Sequence, residues 1–279
     1  FTSTYELVLP WNFDALVSQG TKFMLVGAAT RPDGGDTLRL TPKTAEARAT
    51  GLLVELTLSP IMGGAVELNP ATLGQLEDLV VMRGASLLSA LIPKLQALVD
   101  AQGAATRVGN AFTVILLHVP LCREEGAAPE RIDHRAFVLT EDALEIGLAT
   151  GALMRHEGKI FSAIGVLGQQ PPTTWRDLLV QPLEVLNENT PHLARAQSGL
   201  ASNDDPSGVL VGAGSLGSAL AMLWGRAGYG LWTVVDKDHI RPHNLSRHTA
   251  EADQIGQSKA AAVALLQAWA DHGAGPMTS

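Results

Sequence analysis

The residues of this chain best suited to chemistry lie between positions 209 and 259. An apolar run, Val209-Leu210-Val211, leads directly into Gly212-Ala213-Gly214-Ser215-Leu216-Gly217, and residues 218–227 follow with helical apolar spacing. A second apolar run over 231–235 ends on Asp236, 19 residues after Gly217. Strand, glycine turn, helix, strand and terminal acid together make the β-α-β nucleotide-binding pattern. In it Gly212 suits the tight turn, Gly214 lets a phosphate approach the backbone, and Gly217 allows close packing. The first amides of the helix, from Ser215 on, attract an anion, and Asp236 is placed to accept hydrogen bonds from ribose hydroxyls.

Beyond Asp236 come Asp238, Asn244-Leu245-Ser246-Arg247 and, after Gly256, Lys259. A dinucleotide dehydrogenase has no need of such a cluster. A triphosphate does, because its charge must be neutralised and its leaving pyrophosphate oriented. These residues, with residues 212–217 and 225–230, resemble the ubiquitin-activating (ThiF-like) superfamily over about residues 205–270. That superfamily adenylates the C-terminal carboxylate of ubiquitin-like or sulfur-carrier proteins. The resemblance implies ATP and Mg²⁺ as cofactors, Asp236 on the ribose, Asp238 beside it, and Asn244, Arg247 and Lys259 on the phosphates as the catalytic set. It also implies a ubiquitin-like protein substrate, a conjugating-enzyme-like partner, a homodimer or internal pseudo-dimer, and a bacterial conjugation pathway linked to phage defence. The Mg²⁺-binding Asp and any thioester-forming Cys of such enzymes would lie beyond Ser279, so a catalytically incomplete fragment is expected. The rival readings are an NAD(P)-dependent oxidoreductase and a non-catalytic nucleotide-binding scaffold.

Other reactive residues read more plainly. Pro242 interrupts any helix through His239, His243 and His248, so these are surface or phosphate-adjacent histidines and no metal site is expected. Cys122 could pair with His134 as a transfer cysteine, but the sequence context favours a buried structural thiol. The acidic loop around Glu124, Glu125 and Glu130 reads as solvated. Trp175, Trp224, Trp232 and Trp269 read as core.

The elements that must position the C-terminal residues follow from pattern. Strands are expected at 5–9, 23–26, 37–40, 52–58, 112–117, 136–139 and 159–166, with a turn at 31–35. Helices are expected at 70–82 and 86–100, the second with a possible kink at Pro93. A third, N-capped by Thr140, is expected to run to about Met154. Polar breaks fall at 169–172 and 202–206, and the stretch 175–200 between them reads as a short helical linker. The expected organisation is therefore a noncatalytic mixed α/β accessory domain over 1–190: an inactive adenylation half, a degenerate conjugating-enzyme-like domain or a family-specific recognition module. A Rossmann-like unit, the start of an adenylation domain, then follows over 191–279.

Composition fits two folded domains: 279 residues, 46% hydrophobic and 17% charged. A net charge of −8 without a dense Lys/Arg run lacks the footprint of a nucleic-acid binder. The single cysteine excludes an intrachain disulfide and a Cys₄ zinc site, and points to a reducing cytoplasm. Residues 206–225 form a run of 20 uncharged residues, but glycines at 208, 212, 214, 217 and 225 make it a soluble β-turn-α unit rather than a membrane span.

Overall fold

The computed structural model describes residues 5–30, 36–62, 69–99, 104–106, 111–124, 126–163, 173–188, 190–200 and 206–272. The chain divides into two compact units, Phe1–Asn187 and Glu188–Ser279. The strands of the first are β1 (Tyr5–Leu9), β2 (Phe23–Thr30), β3 (Asp36–Pro42), β4 (Leu52–Thr57), β5 (Ile61–Met62), β6 (Thr113–Cys122), β7 (Arg131–Leu139), β8 (Leu153–His156), β9 (Lys159–Ser162) and β10 (Val180–Asn187). Its helices are α1 (Phe13–Ser18), α2 (Leu73–Met82), α3 (Leu87–Gln96) and α4 (Ala143–Ala149).

An eight-stranded mixed sheet runs in the order β2-β3-β1-β10-β7-β6-β4, with β5 also paired to β6. β6 is rich in Val, Ile and Leu and is buried along its whole length, as a strand covered on both faces must be. Alternation sends Ile115, Leu117, Val119 and Leu121 into one core with α2, α3 and α4, while Val114 and Leu116 enter another with Leu7, Leu9 and Phe13. Thr72 and Ser86 cap α2 and α3 through their side chains. Pro93 sits inside α3 without ending it.

Several expected elements are corrected here. Asp142, not Thr140, caps α4 by accepting the Glu145 N–H, and the helix stops at Ala149, so Met154 lies on β8 of a short hairpin. β6 and β7 extend well past the expected 112–117 and 136–139 because they pair with each other from Thr113–Leu139 to Leu121–Arg131. The stretch read as a helical linker contains β10, which joins the two halves of the sheet, parallel to β1 and antiparallel to β7. Pro182 within it donates no N–H and weakens the strand signal. The turn at 31–35, the breaks at 169–172 and 202–205, residues 164–166 and Glu125 lie outside the described residues.

The second unit holds α5 (Pro191–Gln197), β11 (Ser207–Val211), α6 (Ser215–Arg226), β12 (Leu231–Val235) and α7 (Lys259–His272). β11 and β12 are parallel neighbours, as a β-α-β crossover requires. Their core is small: Ala213, Ala221 and Val263 with Leu210 and Val234, and beside it Ile240, Ala250 and Ala262 with Leu245. Trp224 and Trp232 stack at 4.5 Å and are half-buried rather than core, Trp175 is buried as expected, and the Trp269 side chain lies outside the description. The whole is a mixed α/β chain with a Rossmann-like β-α-β unit toward its C-terminal end. Among the described residues no helix is long and apolar enough to cross a membrane.

Candidate functional site

The turn after β11 is shaped by its glycines. Gly212 has φ +92°, a left-handed conformation that a side chain would strain. A Cβ at Gly217 would collide with the Gly212 carbonyl oxygen, so the helix start can approach the loop only without one. Gly214 is the N-cap of α6, and a Cβ there would meet nothing within 4 Å. Having no side chain, it leaves the first amides of α6, from Ser215 on, without a side-chain cap, whereas α2, α3, α4 and α5 are each capped by Thr72, Ser86, Asp142 and Thr190. Ser215 itself is exposed at the first helical position.

Asp236 stands one residue past β12. Its Oδ2 accepts the Ala213 N–H at 2.7 Å and its Oδ1 accepts the Asp238 N–H at 2.8 Å. The acid thus binds the glycine loop to the chain leaving the second strand. Asp238 in turn receives the Lys259 ammonium at 3.1 Å, and its carbonyl takes the Lys259 N–H at 3.0 Å. The Lys259 side chain is only 11% exposed, so its charge is held at the head of α7 rather than swinging in solvent. Its hydrogen bond and charge hold the Asp238 carboxyl below the usual carboxylate range.

Asn244 is buried. Its Oδ1 accepts the Arg241 N–H at 2.9 Å, closing a short 3-10 turn at Pro242–Asn244, and its carbonyl accepts the N–H groups of Arg247 and His248. The side-chain acceptor of Asn244 is therefore engaged with its own turn. Arg247 is exposed, and its guanidinium makes no ion pair with a described residue. The structure brings the glycine loop, Asp236, Asp238 and Lys259 into one hydrogen-bonded set. Asn244 builds the segment that carries Arg247, and among the described residues no hydrogen bond or ion pair joins Arg247 to the set directly.

The link between them is His248, one of the three histidines expected at the surface or beside the phosphates. His248 is buried; its Nε2 meets the Ala213 carbonyl at 2.6 Å and its Nδ1 accepts the Ala250 N–H at 2.9 Å. His239 and His243 are exposed, so the three do not converge. Among the described residues no group of three or more His, Cys, Asp or Glu side chains could hold a metal ion. Nothing in the sequence next to His248 signals this role, because one of its two partners, Ala213, lies 35 positions earlier.

The first unit holds a titratable cluster with no local sequence signal. His118 and His134 face each other across β6 and β7, with Nδ1 atoms 3.1 Å apart. His134 Nε2 lies 2.6 Å from Asp14 Oδ1, His118 Nε2 lies 3.9 Å from Glu55 Oε1, and Phe13 packs against both rings. This register removes the Cys122–His134 pairing: His134 belongs to His118, and the Cys122 thiol donates to the Ala127 carbonyl at 3.1 Å as a buried structural group. A cavity of about 250 Å³ near Leu25, Phe112 and Asp142 is mostly apolar, and its one carboxylate already caps α4.

The glycine loop, the acid after β12 and the lysine opening α7 lie within the stretch, residues 198–268, that matches the ThiF family. The C-terminal unit is ThiF-like. The adenylyltransferase and sulfurtransferase MOCS3 of Caenorhabditis briggsae is 46% identical over 57 residues, which is 20% of this chain and 14% of that protein. That match spans a small part of the relative's length, and the stretch that matches the family falls within Glu188–Ser279.

Proposed function

We propose that the ThiF-like unit binds ATP and takes part in adenylating the C-terminal carboxylate of a ubiquitin-like or sulfur-carrier protein. The observation that carries this reading is the uncapped N-terminus of α6 beside the Gly214 opening, with Lys259 tied to the same loop through Asp238 and Asp236. Uncapped helix amides and a nearby fixed cation suit a polyphosphate. In the proposed step a carboxylate oxygen of the carrier attacks the α-phosphorus. A new O–P bond forms, the bond to the β-phosphate oxygen breaks, and pyrophosphate leaves with the electron pair.

Asp236 faces the ribose while it holds the loop. Lys259 exchanges part of its hold on Asp238 for a phosphate oxygen, and exposed Arg247 is available to the departing pyrophosphate. Asn244 acts by building the turn on which Arg247 stands. Near the loop stand only the carboxylates of Asp236 and Asp238, and among the described residues no three metal-ligating groups come together, so these residues do not form a ligand set for Mg²⁺. The ion belongs to this reading only as the companion of the triphosphate. The finer context we propose is a cytoplasmic bacterial conjugation pathway of the antiviral kind, with a dimer or pseudo-dimer and a conjugating-enzyme-like partner.

The test is pyrophosphate–ATP exchange dependent on a ubiquitin-like carrier. Arg247→Ala is expected to cut the exchange rate by about 10²–10³-fold while ATP affinity falls much less, as for a donor used chiefly in the transition state. Cys122→Ser is expected to leave exchange unchanged. Exchange abolished by Cys122→Ser and spared by Arg247→Ala would refute the assignment.

A further inference from the structure

Two side chains from outside the glycine loop fix the direction of its peptides. The Ala250 N–H can only donate, so Nδ1 of His248 carries a lone pair and its proton sits on Nε2, where it is donated to the Ala213 carbonyl. A trans peptide points its C=O and N–H in opposite directions. With the Ala213 C=O turned to His248, the Gly214 N–H turns away from it, and it has no hydrogen-bond partner among the described residues. On the other side of Ala213, its N–H is taken by Asp236, which turns the Gly212 carbonyl toward the place a Gly217 side chain would occupy.

The same segment is tied to α6 a second time. Ser218 is fully buried; its Oγ accepts the Thr249 N–H at 3.4 Å and donates to the Ser215 carbonyl at 3.3 Å. The segment that carries Arg247 is thereby fastened to the loop one residue away, through His248.

We propose that His248, in its Nε2–H tautomer, is a positioning residue that aims the Gly214 N–H and the amides after it at a phosphate of the bound nucleotide. This rests on the nucleotide reading above, and His248 itself touches no phosphate. It acts through the Ala213 carbonyl.

Amide side chains separate this role from mere packing. Gln carries its amide group at the reach of the imidazole Nε2, whereas Asn carries it at the reach of Nδ1. In the full chain, His248→Gln can keep the bond to Ala213, and His248→Asn can keep only the bond to Ala250. Titration with MgATP is expected to show about tenfold weaker binding for His248→Ala and His248→Asn, the size of one lost buried hydrogen bond. His248→Gln is expected to stay within about threefold of the wild type. Nitrogen-15 NMR of the wild-type imidazole is expected to show the proton on Nε2 at neutral pH.

Wild-type affinity in a folded His248→Ala variant, or a proton on Nδ1, overturns the proposal. If the Ala and Asn variants do not fold, the tautomer and the Gln variant decide: a proton on Nδ1, or a folded Gln variant with affinity lost like a deletion, overturns it. A wild-type chain that shows the Nε2–H tautomer yet binds no MgATP instead overturns the nucleotide reading, and the phosphate role of His248 with it.

Discussion

Both carboxylate oxygens of Asp236 accept backbone N–H groups, so the acid expected to meet a ribose also holds the loop that would carry the phosphates. The motif spacing made Asp236 legible as a candidate for the ribose, but its hold on the loop depends on where Ala213 comes to lie, which spacing does not encode. His248 was illegible for the same reason, since its partners are a loop carbonyl 35 positions earlier and an amide two positions later. His118 is the corresponding case in the first unit. Burial pushes it down from 6.5 to about 4, with the charge of His134 adding to the effect and Asp14 opposing it. A histidine whose folded value lies below its unfolded one binds more protons when unfolded. Stability is therefore full above about 6.5 and is lost as pH falls toward 4, by on the order of 3 kcal/mol. Glu55, raised by burial against the pull of Lys94 and Lys22, works in the opposite sense, because protonating it relieves a cost. Comparing His118→Gln with the wild type isolates the histidine. Denaturant unfolding between pH 7 and 4 is expected to show a flatter stability profile in the variant, and equal slopes would contradict the reading.

At the scale of elements, what could be read was what is local. β11, the glycine loop, α6 and β12 follow one another within residues 207–235 and form as a unit, so their periodicity and punctuation suffice. β10 could not be read in this way. Its partner β1 lies at the far end of the chain, and a strand pattern broken by Pro182 gives no warning that the sheet is joined through it. The long pairing of β6 with β7 likewise extends each strand beyond its apolar portion. The local unit also allows a clean contrast between two glycines. Gly217→Ala drives a Cβ into the Gly212 carbonyl and is expected to destabilise the second unit by about 1–3 kcal/mol in thermal or denaturant unfolding. Gly214→Ala meets no neighbour within 4 Å, so its melting is expected to stay close to that of the wild type while MgATP affinity falls. A Gly214→Ala variant with unchanged affinity would show that nothing approaches the loop at that point.

At the scale of the molecule, the two units differ in what holds them. The first buries leucines completely from β1, α2 and α3, while the buried apolar residues of the second are mainly alanines with Val263 and Ile240. Stability scales with buried apolar surface. Scanning calorimetry of the chain is expected to resolve two transitions, the lower belonging to Glu188–Ser279, and MgATP is expected to raise that lower one alone. A single transition, or a nucleotide shift confined to the upper one, would argue against ligand binding within the ThiF-like unit.

The central claim is that the glycine loop and Lys259 serve a nucleoside triphosphate. Isothermal titration of the chain with MgATP and with NAD, repeated on Lys259→Ala, addresses it most directly. The expected result is tighter binding of MgATP than of NAD, with the ATP affinity falling about tenfold or more when the charge-assisted contact of Lys259 is removed. NAD binding more tightly than MgATP, or an ATP affinity indifferent to Lys259, would contradict it.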